Sequence, residues 1–491
     1  MQRIKVPQIR IRQINHQPVN SAGRYVLYWM IATRRSGWNF ALQRAVDLAV
    51  ELNKPLVILE TLSCDYPYAS DRLHRFILDG MSDNCKALTG KPALYYPFVS
   101  RDKGDDRGLL AAFANASCLV VTDDFPAFII PKLIQTAAKA LPVSLEAVDG
   151  NGLLPMRLAE RAYPTAYSFR RFLQKQLPPF LCSPPPPDPL DGIELPVTPA
   201  LDPQVVERWP KTDCATLASP SVYDQLPIDH SVQPVSLTGG AQAAQHQLDD
   251  FVRNKLTHYA LLRNHPDHEV TSGLSPYLHF GQISIHAIFS AVADREGWTP
   301  DLLGHKTAGQ RCGWWGMTEN AEAFLDQLIT WRELGLNLCA FEPDYAAYRS
   351  LPEWARNTLH SHTIDSRPYL YTLEGLDSSQ THDPLWNAAQ NQLRTEGVIH
   401  NYLRMLWGKK ILEWSPTPQA ALQAMVELND RYALDGRDPN SYSGILWCLG
   451  RYDRPWGPTR PIFGSVRYMS SENTRRKVKL TKYLARYGEN N

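Results

Sequence analysis

An α/β amino-terminal domain with a parallel, Rossmann-like sheet, followed by an all-α carboxy-terminal domain, is the architecture this sequence predicts. Three observations predict it. Short apolar runs alternate with helix-spaced segments through the first third of the chain. From Gln242 onward the apolar spacing is helical almost to the end. Between them SPPPPDP and further prolines form a stretch that can neither pair as a strand nor coil as a helix. At 491 residues the chain is long for one core, so two domains and a linker are expected. The boundaries read as a loosely held polar arm at 1–22, the α/β domain at 23–176, a Pro-rich linker at 177–241 and the helical domain at 242–491.

In order, Tyr25–Ile31 (YVLYWMI) and Pro55–Leu62 (PLVILETL) read as buried strands, with a helix over Trp38–Leu52 between them. Leu94–Val99, Ser117–Thr122 and Val143–Val148 are further strands, separated by helices at Arg72–Leu88 and Ile130–Leu141. Asp123 and Asp124 close a strand where α/β domains place ligands, although strand-end aspartates are more often turn residues or caps. No GxGxxG and no GxxxxGK[ST] occurs, so neither a dinucleotide fingerprint nor a phosphate loop is supported. Leu177–Pro210 reads as a surface spacer. In the second half, helices are expected at Gln242–Leu262, from a capping Ser275 with Pro276, at Ala321–Leu338, Pro384–Arg394, Val398–Trp414 and Thr417–Asp430.

The net charge of +1 excludes a global attraction to nucleic acid, so any such contact must come from local patches. One such patch is the run from Arg451 to Arg486, rich in Arg and Lys, for which a solvated basic tail is the alternative. The 8 cysteines are scattered without CxxC pairs, which argues against a zinc site or any metal and reads as reduced thiols in a cytoplasmic protein. No apolar run is long enough for a membrane, and the polar start is no signal peptide.

The stretch Thr381–Trp414 carries the functional reading. On its second helix Leu403, Leu406, Trp407, Lys410 and Trp414 share one face, with Arg404 on the flank and Met405 further round. A fixed cation, a thioether and large rings suit a wall for a flat, anionic, redox-active ligand; a Trp-rich core gives the same spacing. Thr271–Ser284 (TSGLSPYLHFGQIS) places small residues and a glycine before a helix start, an arrangement suited to an anion but shared with ordinary capping turns.

HDPLWNAAQNQ, NYLRMLWGKKILEW, LDGRDPNSYSGILW and RPIFGSVRYM closely resemble the flavin-binding domain of class II cyclobutane pyrimidine dimer DNA photolyases, of the photolyase and cryptochrome family. The resemblance implies an FAD-binding helical domain and an antenna-type α/β domain. No side-chain signature separates a deazaflavin from a folate antenna, or from none. It further implies a carbon–carbon lyase, acting as a monomer on DNA that contains pyrimidine dimers: FADH⁻ absorbs light, an electron enters a flipped-out dimer, both cyclobutane bonds break and the electron returns.

Residue by residue, the resemblance assigns FAD contacts to Tyr259, Arg263, Thr271, Ser272, Gly273, Leu274, Ser275 and Gln282. Arg404 and Asp435 would pair across the isoalloxazine, and Asn429 would face its N5, where an amide can both donate and accept. Trp407, Trp386, then Trp414 and Tyr371 would carry photoreduction. Glu333 would hydrogen-bond a thymine, Met405 and Trp447 would line the lesion pocket, and Asp453 and Arg454 would enter the space the dimer leaves. Gly297–Glu319 looks like an insertion relative to the family, and Ala159–Arg171 departs from its usual sequence. Two other readings stay open: a cryptochrome-like blue-light receptor without repair activity, and a non-photochemical DNA-binding scaffold of the same fold.

Overall fold

The computed structural model describes residues 5–219 and 221–488. The chain divides into two compact units, residues 1–158, 177–249 and 274–294 in the first, and 159–176, 250–273 and 295–491 in the second. This division cuts across the expected blocks: 159–176 groups with the helices, and the Pro-rich 177–249 with the sheet.

The first unit is built on a six-stranded sheet of β1 (Ile11–Gln13), β2 (Tyr25–Met30), β3 (Leu56–Leu62), β4 (Leu94–Val99), β5 (Ser117–Asp123) and β6 (Leu145–Val148). Its order is β1-β6-β5-β2-β3-β4, parallel except for β1. The central strands are buried on both faces, which is why β2 and the CLVV centre of β5 read as unbroken apolar runs. Helices Phe40–Glu51, Asp71–Leu88 and Ile130–Ala140 fall where the periodicity predicts them.

Three departures concern this unit. The arm is not loose over its second half, because β1 pairs antiparallel with β6 and buried Arg10 donates to the carbonyls of Asp149 and Leu153. The spacer packs inward: Trp209 joins the hydrophobic core at 5% exposure, and its indole donates to Asp105 O at 2.8 Å. Cys85 and Cys214 form a disulfide across 129 residues, contrary to the reading of all cysteines as free thiols. The reason is tertiary: the short Cys214–Ala218 helix packs on Asp71–Leu88.

Asp123 and Asp124 serve the fold. Asp123 accepts from the Ile31, Ala32 and Thr33 N–H groups and from Tyr28 Oη, pinning the turn after β2. Burial raises the Asp124 carboxyl, but Arg12 and Arg157 outweigh it and hold the group below the usual carboxylate range.

The second unit is helical, with Pro384–Glu396, Asn401–Trp414, Pro418–Tyr432 and Pro439–Cys448 at its centre. Thr417 caps the third of these through Ala420 N at 3.1 Å, as its Thr-Pro start predicts. Two expected continuous helices are interrupted by π-helical turns, at Phe251–Lys255 and Asp326–Trp331. The Gly297–Glu319 insertion is folded: Glu322 gathers the N–H groups of Gly313, Gly316 and Met317, over buried Trp314 and Trp315.

No helix among the described residues is long and apolar enough to cross a membrane. No cluster of three or more His, Cys, Asp or Glu that could hold a metal ion occurs among them.

Candidate functional site

Asp383 starts the first tryptophan helix by accepting from Leu385 and Trp386 N–H at 3.0 and 3.3 Å. Packed on Asn401–Trp414, that helix brings Trp386, Trp407 and Trp414 together at 0%, 2% and 2% exposure. The Trp386 indole donates to Trp407 O at 3.1 Å, and the Trp407 indole to Gln390 Oε1 at 2.9 Å. The Trp386 and Trp414 rings are 5.6 Å apart, and Trp414 and Tyr371 5.4 Å, so the sequence-derived row is continuous from its second member to the half-buried phenol. Gln390 escaped the sequence reading. Its one signal was that two buried indoles need acceptors on a neighbouring face.

Arg404 and Asp435 pair as expected, Nη2 to Oδ1 at 2.8 Å, both partly buried. Asn429 lies late in Pro418–Tyr432 at 3% exposure. Its amide nitrogen donates to Asp430 Oδ1 at 2.9 Å and to Ser441 Oγ at 2.8 Å. Both amide hydrogens are therefore committed, and the carbonyl oxygen is what the side chain can offer a ligand, as an acceptor. Asp430 is locked in turn by Tyr442 Oη and by Arg437 N–H, while the buried Arg437 guanidinium caps the carbonyls of Asp430 and Ala433. None of Asp430, Arg437, Ser441 and Tyr442 was singled out from sequence.

At the head of the Arg404 helix, His400 buries both ring nitrogens near the Arg263 backbone. Burial pulls its pKa down to about 4, so the ring is neutral near pH 7. A partly buried cation–carboxylate pair and a buried amide left with an acceptor fit a polar ring system such as a flavin.

Glu333 is buried on Arg332–Phe341 at 4% exposure. That helix crosses Pro439–Cys448 so closely that a Cβ on Gly335 would stand 2.8 Å from the Pro439 carbonyl. Gly408 performs the same service for Asn401–Trp414, where a Cβ would meet Cys448 Sγ at 2.6 Å. Met405 faces Gly444 and Cys448, one turn or less from the half-buried Trp447. Two cations flank the Trp447 ring, Lys409 Nζ at 5.0 Å and Arg467 at 5.7 Å from its centroid. Lys409 is fully buried and donates to Cys448 O at 2.7 Å; burial lowers its pKa to about 8.

Asp453 Oδ1 accepts from Arg454 N at 2.9 Å and from the Trp456 indole at 3.0 Å. Arg454 and Arg467 lie over the Trp456 ring, which is 36% exposed. The basic run is thus a shaped cationic and aromatic surface around Trp456. Not all of it is available: Arg486 pairs with Glu269 and Glu396, and Arg451 is buried and bonded to Ser350 O.

The turn read as suited to an anion is divided between the two units. Tyr259, Arg263, Thr271, Ser272 and Gly273 belong to the second unit, Leu274, Ser275 and Gln282 to the first. Ser275 is not the expected cap; Leu274 holds that position and no side chain caps the five-residue helix. Gln282 is engaged by the fold, accepting from Gly240 N at 2.7 Å and donating to Phe76 O at 2.8 Å. Its amide oxygen and one amide hydrogen thus serve the first unit. Arg263 lies 5.7 Å from the Tyr259 ring centroid.

No family model matches the chain. The chain is similar to proteins named deoxyribodipyrimidine photo-lyase from several organisms. It is 35% identical to that of Methanothermobacter thermautotrophicus, covering 97% of both chains. The identity is 32% to that of Potorous tridactylus over 93% of this chain and 80% of the relative, and 31% to that of Arabidopsis thaliana over 96% and 90%. In fold it is similar to a bacterial class III photolyase from Agrobacterium tumefaciens, with TM-score 0.66 and 19% identity over 95% of this chain and 86% of that one. With identities above 30% along nearly its whole length, this chain belongs to the deoxyribodipyrimidine photo-lyase family, a family of lyases.

Proposed function

We propose that this protein repairs cyclobutane pyrimidine dimers in DNA by light-driven electron transfer, in the manner of class II photolyases. The observation that carries the reading is the Arg404–Asp435 pair beside an Asn429 whose amide hydrogens are already spent. When bound, reduced FAD supplies the photoexcited electron that opens the cyclobutane ring and receives it back.

The chain's own residues do the rest. Arg404 lowers the cost of keeping a negative flavin edge out of water, and Asp435 fixes the direction of the guanidinium. The Asn429 carbonyl would accept a hydrogen bond from a protonated flavin N5, so the network that commits its amide hydrogens would favour the reduced cofactor. Tyr259, Arg263 and Thr271–Gly273 hold the rest of the cofactor. Glu333 bonds the thymine of a flipped dimer, Met405 and Trp447 pack on its bases, and Asp453 and Arg454 occupy the gap in the duplex. Trp407, Trp386, Trp414 and Tyr371 supply electrons to restore the reduced state.

The test is illumination of purified, FAD-loaded protein with an oligonucleotide containing a thymine dimer. Recovery of thymine absorbance in the light, and none in the dark, is expected. A flavin spectrum without recovery would replace repair by a light-sensing role, and protein that cannot take up FAD would leave a scaffold.

A further inference from the structure

The tryptophan row ends beside two side chains that the electron route does not use, His382 and Tyr369. Tyr371 Oη lies 2.8 Å from His382 Nδ1 and accepts from the His382 backbone N–H at 3.0 Å. Backbone holds the phenol in place as well, since Tyr371 N–H donates to Trp414 O at 3.2 Å. The His382 ring is 5.2 Å from the Trp414 ring and stacks on Tyr369 at 3.6 Å with an angle of 17°. Trp414 is 2% exposed, whereas His382 and Tyr369 face solvent. With the phenol donating, His382 must carry its own proton on Nε2 and offer Nδ1 as a base.

A phenol is hard to oxidise while it keeps its proton, because a phenol radical cation is a strong acid. A base already bonded to the hydroxyl removes that obstacle. From this geometry we infer that His382 is the proton acceptor that lets Tyr371 act as the terminal electron donor of the row. This rests on the tryptophan route proposed above. The oxidant is the indole radical cation of Trp414. One electron passes from the Tyr371 ring to Trp414, which returns to a neutral indole. The Tyr371 O–H bond breaks and an N–H bond forms at His382 Nδ1, leaving a neutral phenoxyl radical and an imidazolium. The imidazolium then releases a proton to water from its exposed edge. Charge is thereby moved off the row, and the electron cannot fall back along it without recovering a proton.

Flash photolysis of the FAD-loaded full chain, with the flavin oxidised at the start, tests the step. In the unaltered protein the tryptophan-radical signal should decay as a tyrosyl-radical band rises, more slowly in D₂O. His382→Gln keeps a hydrogen-bond acceptor but cannot hold the proton, and should slow the tyrosyl rise about 10²-fold or more. Tyr371→Phe should abolish the band and leave the tryptophan radical to recombine. A tyrosyl rise unchanged in His382→Gln overturns the proposal, as does a tryptophan radical with no tyrosyl successor in the unaltered protein. Absence of any tryptophan radical overturns the route itself and this step with it. Nitrogen-15 spectra of histidine-labelled full chain give a readout independent of the flash: His382 Nδ1 should show an acceptor shift that Tyr371→Phe removes. A protonated Nδ1 overturns the assignment.

Discussion

The tryptophans of the two helices at 384–414 and Trp447 carry the same ring in two electrostatic settings. Trp386 and Trp407 give their indole hydrogens to neutral carbonyl oxygens and have no cation on their faces among the described residues. Lys410 lies 5.5 Å from the Trp414 ring, but its charge is answered by Glu413 at 2.7 Å. Trp447 instead has Lys409 and Arg467 on its ring, and the Lys409 ammonium is bonded only to a carbonyl among the contacts described. Positive charge at a ring face opposes removing an electron from it, and strongly so where water is absent. One environment suits rings that surrender electrons, the other a ring that stays intact and packs on a base.

Substitutions can break this contrast or sharpen it. The largest effect is expected from Trp407→Phe, which should abolish photoreduction of oxidised, FAD-loaded protein while chemically reduced protein still repairs. Unimpaired photoreduction in a steady-state illumination assay would refute the route.

Lys409→Met probes the other side. A lysine whose folded pKa is about 8, against an ordinary value near 10.5, binds its proton less readily in the folded state than in the unfolded one. Its penalty on stability is therefore full below pH 8 and is relieved as pH rises toward 10.5, by about 3 kcal/mol. The difference between denaturant curves of the two proteins should shrink across that window. A pH-independent difference would place the ammonium in a wetter setting than its burial indicates.

Trp447→Ala should weaken binding of dimer-containing DNA by about 1–3 kcal/mol, the value of a base–aromatic stack, and leave photoreduction intact. Equal loss of photoreduction would erase the distinction between the two groups. The smallest effect is expected for Arg467→Ala, about 0.5–1 kcal/mol in DNA affinity. The slope of log affinity against log salt should also fall by about 1 if Arg467 meets a phosphate, and stay unchanged if it only supports the ring.

Much of this was legible because the signals are local. β2 and the first four residues of β3 are unbroken apolar runs bounded by helix periodicity, and Thr417-Pro418 announces a helix start within two residues. The π-helical turns at Phe251–Lys255 and Asp326–Trp331 were not legible, since one inserted residue leaves the surrounding apolar spacing almost unaltered. Nor was β1, a three-residue strand whose pairing depends wholly on β6.

The sequence by itself determined the two architectures, the family and the row of rings, because periodicity and motif spacing are properties of the chain taken a few residues at a time. Only the tertiary structure decided which polar atoms were already spent. Both Asn429 amide hydrogens, both ends of Gln282, and the Cys85–Cys214 link depend on partners up to 206 residues away. Hydrogen-bond capacity is finite, so what a side chain can still offer a ligand is known only after every buried neighbour has claimed its share.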